Sequence, residues 1–229
     1  MDRAPRRSCM AQGALFTDLD EGTAEILLNA ATHRQFAAGA TLFHQGDAPS
    51  QLFQVSTGSV RLTRVNPEGE QTTLRFMRAG DLVGCVAVFR RFPFPATATA
   101  TEPTAVLCWS AAQILDLTRR HPAISANALD TVGDRAREMV DRLAEMTDKG
   151  AEARVASVLL QLAGQIGRTG PKGVEIASPA TRKDVSEMTG VSYFTVSRIL
   201  GGWQRQGLVR LGRARIVVLH PERLAQIAA

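Results

Sequence analysis

Cysteine and histidine are scarce in this chain, and each shortage closes off a class of chemistry. Among 229 residues there are three cysteines (Cys9, Cys85 and Cys108), four histidines and a single tyrosine. Three widely spaced thiols frame neither a disulfide scaffold nor a zinc site, and they fit a reducing cytosol. The histidines stand at positions 33, 44, 121 and 220 with no HxH-type spacing. A cupin-like metal enzyme needs imidazoles and carboxylates clustered along its strands, so that alternative lacks its ligands. No metal site and no catalytic residue is expected. Long apolar runs are missing as well, since none reaches the roughly 18 residues of a membrane helix. The basic start "MDRAPRRSCMAQGALF" is not followed by the ~7–15 apolar residues of a signal peptide. The expectation is a cytoplasmic protein with no membrane partner.

What is present is charge, unevenly placed. The net charge is +5, yet residues 1–146 hold 15 Lys/Arg against 16 Asp/Glu, while residues 147–229 hold 12 against 6. A near-neutral front and a basic last third suggest that only the C-terminal part meets a polyanion.

Residues 1–12 read as a loose tail. Residues 17–33, "TDLDEGTAEILLNAATH", predict a short helix, with acidic residues at its start and Ile26, Leu27 and Leu28 on an apolar face. From 36 to 110, short runs such as "LFQVS", "SVRLTRV" and "AVLCW" are broken by turn glycines, the mark of an antiparallel sandwich or barrel. "NPEG" at 66–69 is a hairpin turn. A short helix is expected over 111–120, and Pro122 can open a long one. Along that helix Leu129, Val132, Ala136, Met139, Leu143 and Met146 are spaced 3, 4, 3, 4, 3. This is a heptad seam, and it predicts a two-helix homodimer interface. "DKGAE" at 148–152 breaks it, 152–166 predicts another amphipathic helix, and "GRTGPKG" at 167–173 reads as a loop. The expected domains are therefore 13–120, a dimerisation helix over 121–147, and a basic domain over 148–229.

That last domain holds "TRKDVSEMTGVSYFTVSRIL" (181–200), which reads as a helix-turn-helix. Counting from Arg182, Val185 takes the fourth position and small Ser186 the fifth. Gly190 takes the ninth, where a left-handed turn favours glycine. Val191, Val196 and Ile199 lock the helices together. Ser192 can cap the second helix, with Tyr193, Phe194, Ser197 and Arg198 on its outer face, where a recognition helix meets base edges. The aromatics suit thymine methyls, and Arg198 suits guanine O6 and N7. "LVRLGRARIVVLH" follows as strand, turn and strand, a wing whose Arg210, Arg213 and Arg215 can contact phosphate. The expected double-stranded DNA contacts are Arg182, Ser192, Tyr193, Phe194, Thr195, Ser197, Arg198 and Arg213.

In that order, and through "TLFHQGD" (41–47), "LFQVSTGSVRL" (52–62), "RAGDLVG" (78–84), "PATATATEPTAVLCW" (95–109) and the helix-turn-helix, the chain resembles the cyclic-AMP receptor protein/FNR (CRP/FNR) family of bacterial transcription regulators. The resemblance implies an α+β fold: an N-terminal antiparallel β-roll (jelly-roll-like) sensor domain, a long dimerisation helix and a C-terminal winged helix-turn-helix. It also implies a homodimer on an inverted-repeat promoter site, with RNA polymerase as a partner if the protein activates. The effector pocket would be lined by Leu82, Val83, Gly84, Cys85, Pro95, Ala96, Met139 and Val140. Cyclic-nucleotide-binding members carry Gly-Glu where this chain has Gly84-Cys85, and an arginine and serine where it has Pro95-Ala96. They place hydroxyls on the long helix where this chain has Met139 and Val140. Cyclic AMP is therefore not the expected effector. An iron–sulfur cluster is not expected either, because only Cys9 precedes the roll. Phe194 replaces the family's recognition-helix acid, which makes "EMTG…TVSRIL…W" most similar to the nitrogen-oxide-responsive (NnrR-like) subgroup. Some relatives sense nitric oxide through haem, for which His33, His44, Cys85 and Met77 are the candidate ligands. Alternatives are a thiol sensor at Cys85 and a constitutive regulator whose roll is filled by its own side chains.

Overall fold

The computed structural model describes residues 13–176, 180–212 and 215–229. The tail with Cys9, the wing residue Arg213 and the side chain of Met146 lie outside the described residues. The chain forms two compact units, one running up to Val65 and including Met77–Glu138, the other made of Asn66–Phe76 and Met139–Ala229.

The first unit begins with a 3-10 turn at Ala14–Phe16 and helix α1 (Glu21–Asn29). Asp20 caps α1 by accepting from the Thr23 amide at 2.9 Å, and the hydrogen bonds from Thr23 hold its carboxyl below the usual carboxylate range. The sequence predicted this helix as far as residue 33, but it stops at Asn29, and Thr32–Phe36 form strand β1. Pairing with a distant strand decides that segment: Thr32 lies opposite Cys108, and Phe36 opposite Thr104. Then come, in chain order, β2 (Thr41–Phe43), β3 (Gln51–Thr57), β4 (Ser59–Val65), β5 (Gln71–Arg78, of which 71–76 belong to the second unit), β6 (Leu82–Val83), α2 (Cys85–Arg90), β7 (Thr97–Ala100) and β8 (Thr104–Ser110). They make two sheets, ordered β1-β8-β3-β6 and β2-β7-β4-β5.

Leu52, Phe53 and Val55 on β3, with Val106, Leu107 and Trp109 on β8, are buried in one apolar cluster with Leu27 of α1. The indole of Trp109 donates to the Leu27 carbonyl at 2.9 Å, so the buried N–H is satisfied. Helix α3 (Ala111–Arg120) starts at a Ser110/Gln113 capping box, and α4 (Pro122–Asp148) opens on proline. Ile124 and Ala128 of α4 are buried in the same cluster, and Val132 packs against it.

The second unit contains α5 (Ala151–Ile166), β9 (Gly167–Gly170), β10 (Gly173–Ile176), α6 (Arg182–Thr189), α7 (Tyr193–Arg205), β11 (Val209–Gly212), β12 (Arg215–Val218) and α8 (Pro221–Ala228). The stretch 167–173, read as a loop, is for the most part a hairpin, with Gly167 paired to Ile176 and Gly170 to Gly173. Its glycines carry no strand signal because backbone pairing alone defines the ladder. Strand order is β11-β12-β10-β9. Val155, Leu159, Leu162, Val185, Val196, Leu200 and Trp203 fill the core. Trp203 Nε1 donates to Glu152 Oε1 at 2.9 Å.

Candidate nucleic-acid interface and effector region

The turn between α6 and α7 is fixed by side chains that leave one helix face bare. Thr181 caps α6 in a reciprocal box with Asp184. Asp184 is buried, and it also accepts from the Thr73 hydroxyl at 2.9 Å, while Glu187 accepts from the Thr73 amide at 2.6 Å. Gly190 sits at φ 66°, ψ 16°, the left-handed region, which a side chain would disfavour. Ser186 Oγ donates to the Val191 carbonyl at 2.7 Å, so a small residue both clears the crossing and pins the turn. Val185, Val191 and Val196 are buried. Leu200 takes the deepest place near the end of this pattern, and Ile199 is only partly buried against the core.

Helix α7 starts at Ser192, whose Oγ accepts from the Thr195 amide at 3.2 Å and lies 3.0 Å from Thr195 Oγ1. These two hydroxyls are thus engaged in capping. Phe194 is 84% exposed and Tyr193 is 48% exposed, with their rings edge to face at 6.2 Å. Arg198, one turn further along, is exposed as well. Ser197 differs from the expectation: its Oγ is shielded and has no hydrogen-bond partner among the described residues. It neighbours buried Val196 and lies beneath the outermost face.

Beside this face Ala180, Thr181, Arg182, Lys183, Tyr193, Gly212, Arg215 and Ile216 line a cleft of about 350 Å³. It joins the start of α6, the start of α7 and the wing. Lys183 pairs loosely with Glu187 at 3.7 Å, and Arg215 with Glu175 at 3.6 Å. The Arg215–Glu175 pair is exposed on both sides and contributes ~0–1 kcal/mol, while Lys183 is exposed although Glu187 is largely covered. Arg210 is exposed on β11.

Part of the region expected to hold an effector is core. Leu82, Val83 and Cys85 are fully buried, and Ala96 is nearly so, whereas Pro95 is exposed. Gly84, at φ 86°, caps α2, and a Cβ there would meet the Phe94 ring at 2.7 Å. That ring stacks on Phe43 with centroids 3.7 Å apart, and Phe43 in turn lies 5.8 Å from Phe53. Arg135 of α4 donates to Cys85 Sγ at 3.2 Å and to the Leu82 carbonyl. Among the described residues, the side chains that meet here are a phenyl ring, a thiol and the Arg135 guanidinium, which is already hydrogen-bonded to Cys85 and Leu82.

Met139 and Val140 are exposed on α4. His33 is exposed on β1, and His44 is exposed at the end of β2, its amide donating to Asp47 at 2.8 Å. Met77 and Cys85 lie in the core. Burial pushes the Cys108 thiol up, against a smaller opposing pull from Arg34; the thiol donates to the Thr32 carbonyl at 3.2 Å. Among the described residues no group of three or more His, Cys, Asp or Glu side chains is placed to hold a metal ion. No described helix is long and apolar enough to cross a membrane.

Sequence reasoning missed Thr73, Glu187 and Phe94. The first two meet only through folding. Phe94 sits in a "FPFP" run whose alternation could have marked it as an inward ring.

Residues 33–121 match the Cyclic nucleotide-binding domain family, and residues 153–227 the Crp-like helix-turn-helix domain family. The "Fumarate and nitrate reduction regulatory protein" of Escherichia coli is 27% identical over 83% of this chain and 76% of its own length. The fold is similar to that of FixK2 from Bradyrhizobium japonicum, with a TM-score of 0.76, 22% identity, and coverage of 87% of this chain and 98% of that one. The "Cyclic AMP receptor protein" of Thermus thermophilus is 30% identical over 96% of this chain and 98% of its own length. Likeness to a relative sustained from end to end, with both domain families met in the same order, makes the chain a member of the CRP/FNR family of DNA-binding transcription regulators.

Proposed function

We propose that the protein acts as a homodimer that binds an inverted-repeat promoter site through α7 and the wing, under a signal other than cyclic AMP. The observation that carries the DNA reading is the bare face of α7. Two aromatics and an arginine project from a capped helix beside a basic cleft, and such a face suits a major groove flanked by phosphates. The dimer is supported by α4, where Leu129 is 70% exposed and Met139 67%, with Val140 and Leu143 similarly bare. A row of large apolar side chains at this spacing stands unburied on one chain and is buried by a second helix like itself.

The stacked Phe43 and Phe94 rings support a roll closed by its own side chains. That counts against a haem-based nitric oxide sensor, whose candidate histidines lie on the surface and whose candidate sulfur ligands lie in the core, and it makes a constitutive regulator the second reading.

The test is sedimentation of the full chain with a duplex selected from a randomised pool. The expected result is two chains per duplex and a selected sequence with two-fold symmetry. One chain per duplex, or an asymmetric site, overturns the dimeric reading.

A further inference from the structure

We infer that Phe194 makes this protein a reader of the pyrimidine 5-methyl group, so that one base position in each half-site is chosen for carrying that methyl. The inference rests on the proposed docking of α7 in the major groove. Phe194 is the second residue of α7, with Ser192 as the cap. First-turn residues of a recognition helix are the ones that meet base edges. Arg198 lies four residues on, on the same face, and both are exposed. The phenyl ring is 84% bare. A single exposed apolar residue needs no explanation, but this one stands in the first turn of α7, where discrimination happens, one turn before Arg198.

A phenyl group neither donates nor accepts a hydrogen bond, so it can separate bases only by apolar contact. The one apolar group on the major-groove edges of the four base pairs is the C5-methyl of thymine. Unmethylated cytosine presents an amino donor instead, which the ring would leave without a partner. 5-Methylcytosine presents the same methyl as thymine. The site should therefore prefer thymine, lose affinity for uracil, and gain affinity when a cytosine at that position is methylated. Tyr193 holds Phe194 edge to face at 6.2 Å, which limits the ring's freedom and sharpens the contact.

The experiment starts from a duplex selected by the full-length protein from a randomised pool. Each thymine is replaced in turn by uracil, which removes the methyl and keeps the pairing, and binding is followed by fluorescence anisotropy. One thymine per half-site should cost about fourfold in Kd when replaced, equivalent to the ~0.8 kcal/mol of one buried methyl-sized group. A 5-methylcytosine–guanine pair at that position should bind about fourfold tighter than cytosine–guanine. Both methyl effects should vanish in Phe194→Ala, an exposed substitution that leaves the core untouched. In Phe194→Glu the preference should move to unmethylated cytosine, whose amino group a carboxylate accepts. Uracil tolerated at every position, or a methyl effect unchanged in Phe194→Ala, overturns the inference while leaving sequence-specific binding intact. A methyl effect lost in Tyr193→Ala but kept in Phe194→Ala overturns the assignment to Phe194. If no sequence is enriched at all, the DNA-reading proposal beneath it falls.

Discussion

Arg198 and Arg210 carry the same charge and are both exposed, but their positions assign them different roles. Arg198 projects from the first turns of α7, where a guanidinium can pair with both acceptors of a guanine; Arg210 lies on the wing strand β11, where it can meet only phosphate. A bidentate contact to guanine typically contributes ~1–3 kcal/mol of discrimination. Arg198→Ala should therefore lower the ratio of specific to non-specific affinity by roughly 5- to 150-fold. Arg210→Ala should weaken all sequences alike and reduce the slope of log K against log salt by about one. Titrations of selected and scrambled duplexes at several salt concentrations measure both effects. An unchanged affinity ratio in Arg198→Ala, or an unchanged salt slope in Arg210→Ala, would remove the corresponding assignment.

On the scale of elements, α4 has two faces with opposite fates. Ile124 and Ala128 are buried, and Val132 packs on the same core, while Leu129, Met139, Val140 and Leu143 are exposed. The heptad pattern placed Val132 in the dimer seam together with Leu129 and Met139, because spacing alone does not say which neighbour a stripe meets. The structure splits that stripe: Val132 serves its own core, and Val140 joins the bare row. Met139→Glu puts a charge in the middle of that row and touches no core residue. It should shift the protein to monomer in analytical ultracentrifugation, leave the helical circular dichroism of the folded chain unchanged, and reduce specific DNA binding by more than tenfold. A Met139→Glu protein that remains dimeric would move the interface off this stripe. Other elements were legible to different degrees. Helices with periodic apolar faces, such as 111–120 and 151–166, could be read from the sequence. The polar strand Thr32–Phe36 and the glycine-bearing hairpin at 167–176 could not, because tertiary pairing rather than side-chain pattern makes them strands. In the same way the α6–α7 turn was visible from Gly190 and Ser192, whereas the buried Asp184–Thr73 contact joins residues 111 apart in sequence.

At the scale of the whole molecule the question is whether a nucleotide-binding type of fold still needs a nucleotide. The chain is 30% identical to a protein named for cyclic AMP, and its roll has two sheets, the Gly84 turn and the short helix that follows it. Under the proposed reading, the groups beside that turn are not ones that hold a nucleotide. Cys85 is buried and bonded to Arg135, Ala96 offers no hydroxyl, and the Phe94 ring presses on Gly84 and stacks on Phe43. A ligand that binds only the folded state stabilises it by RT ln(1 + [L]/Kd), about 2.7 kcal/mol at a hundredfold excess over Kd. For a domain of 150–250 residues that raises the melting temperature by roughly 5–11 °C, since each kcal/mol is worth about 2–4 °C. Millimolar cyclic AMP should instead leave the melting curve of this protein unmoved, and its affinity for the selected duplex unchanged within twofold. Phe94→Ala serves as the control: it empties the space beside Gly84 but restores no partner for a phosphate, so it should lower stability without creating cyclic AMP binding. A melting shift of several degrees in the wild-type protein would mean that Phe94 swings aside to admit a nucleotide, and the roll would then be a working sensor with an aromatic gate.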